Sequence, residues 1–76
     1  MWKQVWNEPI YREWARQVDE KRYELVIARK EKGRYLLARA ELNFGKEGLP
    51  TFVTKETDYA TTEEEAMRKI NGWKRV

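Results

Sequence analysis

The 76-residue chain contains no histidine, no cysteine and no serine. Those absences remove serine and cysteine nucleophiles, histidine general bases, and zinc sites built on nitrogen or sulfur ligands. Without cysteine there is no disulfide framework, and oxidising export is not indicated. Four scattered glycines cannot build a phosphate-cradling loop, and neither Gly-x-x-x-x-Gly-Lys nor Gly-x-Gly-x-x-Gly occurs. The longest apolar runs, residues 25–28 and 35–38, have four residues each. That is too short for a signal-peptide core or a membrane span. The chain therefore reads as a soluble cytoplasmic protein with no membrane partner and no cofactor.

Aromatic residues are what the chain has in quantity: four Trp, four Tyr and two Phe. A chain this short encloses one small core, so residues 1–76 read as a single domain. Aromatics supply large buried area to such a core at low rotamer cost.

Net charge is +3, unevenly placed. Residues 1–46 carry eleven Lys/Arg against seven Asp/Glu, whereas residues 47–76 carry five against six. The excess peaks at Arg29, Lys30, Lys32, Arg34 and Arg39, opposed locally by Glu31. A cluster of this kind attracts polyanions or an acidic protein surface, and equally keeps a hairpin tip solvated.

Asn7-Glu8-Pro9 has the form of a helix start, followed by Tyr11, Trp14, Ala15 and Val18 at helical spacing. This predicts a first helix from about Glu8 to Glu20. Tyr23–Ile27 has adjacent β-branched residues, and Gly33 falls where a three-residue loop, Glu31-Lys32-Gly33, needs a left-handed residue. A hairpin is therefore favoured over a helical reading of the Leu- and Ala-rich residues 36–42. That loop sets Arg29 opposite Tyr35, Ile27 opposite Leu37 and Leu25 opposite Arg39. One face then holds Val26, Ala28, Leu36, Ala38, Ala40 and Leu42; the other holds Tyr23, Leu25, Ile27, Arg29, Tyr35, Leu37 and Arg39.

Residues 45–50 are a loop by composition, and Thr51–Glu56, extending toward Tyr59, reads as a third strand. Thr62-Glu63-Glu64-Glu65 then starts a helix, with Thr62 as cap, Glu65 closing a capping box, and Ala66, Met67, Ile70 and Trp73 as its buried stripe. Gly72 stands where a left-handed stop belongs. The fold class is thus α+β, a three-stranded antiparallel sheet packed by two helices in the order α-β-β-β-α.

Asp58 with Glu63, Glu64 and Glu65 offers clustered oxygens for Mg²⁺, but acids at a helix start are common for dipole reasons, so no metal site is assigned. Nor is the chain expected to be an enzyme. Tyr23, Arg29, Lys30, Lys32, Arg34, Tyr35 and Arg39 together combine stacking surfaces with phosphate-seeking charge. They point to a nucleic-acid-binding protein of phage or mobile-element type, or alternatively to a protein-interaction module using the same face. In a third arrangement Trp2 and Trp6 fold back over Leu25, Ile27 and Leu37, or a second copy covers that face to make a homodimer.

Residues 31–53, EKGRYLLARAELNFGKEGLPTFV, followed by an acidic-start helix, resemble the arm-type DNA-binding domains of tyrosine recombinases. That resemblance implies a three-stranded sheet in the major groove, with contacts from Arg29, Arg34, Arg39 and Lys55. Residues 23–72, with VIARKEKGRYLLARAEL and ATTEEEAMRKI, are also similar to the small domain of HicB-like antitoxins, which implies a protein toxin as partner. The element order is similar to that of double-stranded RNA-binding domains too, but Glu63-Glu64-Glu65 stands where those domains place phosphate-gripping lysines.

Overall fold

The computed structural model describes residues 1–75 and shows one antiparallel meander closed by a C-terminal helix. Its strands are β1 (Lys3–Glu8), β2 (Tyr11–Asp19), β3 (Arg22–Glu31), β4 (Arg34–Phe44) and β5 (Pro50–Ala60), lying in sheet order β1-β2-β3-β4-β5. The helix α1 spans Glu63–Lys74. The α-β-β-β-α order predicted from the sequence is therefore corrected: the described residues form five strands and one helix, and the first helix does not form.

Residues 8–20 form the β1–β2 hairpin instead. Glu8 pairs with Tyr11, leaving Pro9-Ile10 as a two-residue loop in which proline's fixed φ pre-sets the turn. The helical spacing of Tyr11, Trp14, Ala15 and Val18 is the overlap of two strand faces. Trp14 points under α1 and is buried, while Tyr11 and Ala15 belong to the opposite face and Val18 sits in an exposed irregularity. A lone amphipathic helix of this length is marginal, whereas the ladder anchors a tryptophan in the core.

The β3–β4 register is also one residue away from the predicted one. Glu31 pairs with Arg34, so the loop is Lys32-Gly33 alone, with both residues left-handed at φ 51° and 79°. This is the turn whose twist matches the flanking strands. Ala28 therefore faces Leu37, Val26 faces Arg39 and Leu25 faces Ala40. A one-residue slip exchanges every side chain of one strand between faces. Leu37 joins Val26 and Ala28 under α1, and Leu36, Ala38, Ala40 and Leu42 move to the other side.

Helix α1 begins as its sequence predicts. The Thr62 hydroxyl accepts from the Glu65 N–H at 3.1 Å, and three glutamates occupy the positive end. Ala66 and Ile70 are buried against Trp14, Val26, Ala28, Leu37 and Ala60, with Met67 and Trp73 packed beside them. Gly72 does not end the helix; it lies within it, and the chain continues to Lys74. Trp2 returns to this face, where its indole N–H donates to the Lys74 carbonyl at 2.9 Å and fastens the N-terminus to the end of α1.

No helix among the described residues is long and apolar enough to cross a membrane.

Candidate nucleic-acid interface

The β3–β4 tip carries the charge of the molecule. Residues 29–34 hold four cations and one carboxylate, a net +3 that equals the net charge of the whole chain. Elsewhere several cations sit against carboxylates: Arg12 with Glu63 at 2.9 Å, Arg16 with Glu24 at 2.6 Å, Arg22 with Asp19 at 3.4 Å, Arg39 with Glu56 at 3.3 Å, and Lys69 with Asp58 at 3.2 Å. At the tip only Glu31 is available, and it takes Arg29 at 3.2 Å.

The tip is held by rings as well as by its turn. Lys30 lies 5.8 Å from the centre of the Tyr35 ring on the helix side. Arg34 lies 5.5 Å from the centre of Tyr59 on the other side. Each ring's negative face attracts the cation above it, worth about 0.5–1 kcal/mol at an exposed site. The two-residue loop, with no slack, projects these charges from the end of a two-stranded ribbon.

The seven residues singled out from the sequence thus divide among three places. Arg29, Lys30, Lys32, Arg34 and Tyr35 gather at the tip. Tyr35 and Arg39 face the helix side, Arg39 bridging to Glu56 on β5. Tyr23 lies at the far end of the opposite face, edge-on to Phe44 at 6.0 Å. The single Tyr/Arg face predicted from the three-residue loop is not assembled, because the register sends Tyr35 and Arg39 to the other side from Tyr23 and Arg29.

That opposite face, free of α1, is an aromatic-walled trough. Cross-strand pairing sets Tyr11, Arg29, Leu36 and Tyr59 in one row, and Tyr23, Leu42 and Phe52 in another. Leu25 and Ala40 are buried at its floor. Tyr11, Ile27, Arg29, Leu36, Phe52 and Tyr59 surround a cleft of about 570 Å³. Burial and the 2.6 Å hydrogen bond from its hydroxyl to Glu13 push the Tyr11 phenol up to about 12. Tyr11, whose ring meets that of Trp6 edge-on at 6.3 Å, is a site residue that sequence reasoning missed. Its helical spacing with Trp14, Ala15 and Val18 placed it on a predicted helix, and residues 11–17 show no period-2 alternation to signal a strand. Trp6 lies beside β2 on this face, whereas Trp2 packs on the helix side against the core that contains Leu37.

Three of the four carboxylates considered for Mg²⁺ sit against cations, Glu65 beside Lys69 at 3.8 Å among them. Glu63 takes Arg12, and Asp58 takes Lys69 together with the Tyr59 N–H at 2.8 Å. Among the described residues no group of three or more metal-ligating side chains comes together.

Comparison with family models, with curated proteins and with solved structures returns no match to this chain.

Proposed function

We propose that the protein is a non-enzymatic binding module that engages duplex DNA through the β3–β4 tip. The observation that carries this reading is the coincidence of the entire net charge with a turn-locked ribbon end. Because the Tyr35 and Tyr59 rings already lie beneath cations, the tip is built for phosphate contact rather than for stacking of unpaired bases. A two-stranded ribbon fits the major groove of B-form DNA, whereas the deep, narrow major groove of duplex RNA excludes it. The resemblance to arm-type recombinase domains points to the same groove.

The test is fluorescence anisotropy with a labelled DNA duplex over a salt series. With Arg29 paired to Glu31, the cations Lys30, Lys32 and Arg34 give an expected slope of log affinity against log salt of about −3. Lys30→Glu with Lys32→Glu should abolish binding without lowering the melting temperature. A slope near zero, or binding indifferent to that double substitution, overturns the reading. A second reading, protein interaction, rests on the open face, where Trp6, Phe52 and Tyr59 are each more than half exposed.

A further inference from the structure

The open face, with Trp6, Phe52 and Tyr59 each more than half exposed, is too apolar to stay bare, and the accessible surface of the whole chain exceeds what its mass calls for. A compact monomer of 9.3 kDa has an accessible surface of about 5,000 Å². This chain exposes 5618 Å² over its whole surface, about 600 Å² more, and a standard interface takes roughly 800 Å² from each partner. The β5 edge beside Tyr59 is a poorer place for a partner. Phe44 donates its N–H to Lys21 on the β3 side, so by antiparallel alternation Tyr59 on β5 directs its backbone groups to the free edge. Both are already taken there: Asp58 accepts the Tyr59 N–H at 2.8 Å, and the Lys69 ammonium donates to the Tyr59 carbonyl at 3.0 Å. Charged side chains in this position blunt an edge against strand addition.

We infer that a second copy of this chain covers the open face, sheet on sheet, about a two-fold axis running across the strands. Register fixes what such an axis brings together. The row containing Arg29 and Tyr59 lies over the row containing Tyr23 and Phe52 of the second copy, and the reverse. Arg29 then meets the Tyr23 ring, Tyr59 meets Phe52, and Leu36 meets Leu42. In the two middle rows Ile27 meets Leu25, and Ala38 meets Ala40, small enough for two sheets to close to about 10 Å. The other two-fold, along the strands, stacks Arg29 on Arg29, a like-charge contact that disfavours it. The chosen axis leaves Lys30 and Lys32 outside the interface and sends the two tips to opposite ends of the dimer.

Sedimentation velocity of the full chain across a concentration series tests this without nucleic acid. The expected result is a species of twice 9.3 kDa that dissociates on dilution. Ala38→Glu, which sets a carboxylate in the middle rows, should weaken association by about 100-fold. Tyr59→Lys, at a side chain 58% exposed and outside the core, should weaken it by about tenfold while the circular dichroism of the monomer stays unchanged. Lys30→Glu with Lys32→Glu should leave the dimer intact, so loss of DNA binding and loss of dimerisation separate. A single 9.3 kDa species at several hundred micromolar overturns the inference, as does a dimer that Ala38→Glu and Tyr59→Lys both leave unaltered.

Discussion

The Arg34 guanidinium lies over the Tyr59 ring, 5.5 Å from its centre, and so ties the β3–β4 tip to the neighbouring strand. The ring holds the cation in place without neutralising it, as a carboxylate would. Tyr59→Leu removes the ring and keeps the charge. If the tip grips phosphate, duplex affinity should fall by about two- to fivefold, the equivalent of one exposed cation–π contact. The salt slope should not move, because the number of cations is the same. Lys32→Gln is the complement: its slope should become shallower by about one. Anisotropy titrations of both variants at four salt concentrations check the pair, and a slope altered by Tyr59→Leu would contradict this role for the ring.

Gly33 stands at φ 79° with nothing near the position a Cβ would take, so a side chain there meets backbone strain and no clash. Gly33→Ala should destabilise the domain by about 1–2 kcal/mol, the cost of a left-handed L-residue. Urea unfolding followed by tryptophan fluorescence measures it. An unchanged midpoint would mean that the loop is not the two-residue turn described above.

Leu36 and Leu37 are adjacent, chemically identical and on opposite faces. Leu37 is 2% exposed beneath α1 while Leu36 is only partly buried on the open face. Leu37→Ala should cost about 2–5 kcal/mol, a large share of the stability of so small a domain. Leu36→Ala should cost clearly less in a monomer at low concentration. Denaturation of the two variants side by side reads the register directly: the three-residue loop predicts the opposite order.

That ambiguity explains what was and was not legible beforehand. The start of α1 was readable because Thr62 and Glu65 carry their own hydrogen-bond logic, independent of anything distant. The reversal at Gly33 was readable for the same local reason. The register was not, because Lys32, an ordinary residue, adopts φ 51° and so completes a two-residue loop that glycine spacing alone does not announce. Hydrophobic alternation, which normally decides register, was silent: Leu36 and Leu37 are equally apolar because both faces of the sheet are. The same cause hid β2, where residues of two apolar faces fall at helical spacing. The tip was therefore legible as a cluster of charge, while the aromatic trough, assembled by pairing across four strands, was not.

Asp58 guards the β5 edge and should leave a signature in acid. Its carboxyl is held below its ordinary value of 3.8, first by the Tyr59 N–H it accepts and then by Lys69. The native state thus binds fewer protons than the unfolded chain at mildly acid pH, and its stability rises with pH through that range. The contribution is fully present above the unfolded value and is lost as pH falls through the lower native one. Asp58→Ala should accordingly melt below the wild type at about pH 7, and the gap should narrow toward about pH 2.5 as the wild-type carboxyl takes up its proton. Opening the edge has a second consequence. With the Tyr59 N–H no longer occupied by Asp58, the variant should self-associate through strand addition, seen as light scattering that grows with concentration on warming. A melting gap equally wide at both pH values would show that the carboxylate does not act through its charge.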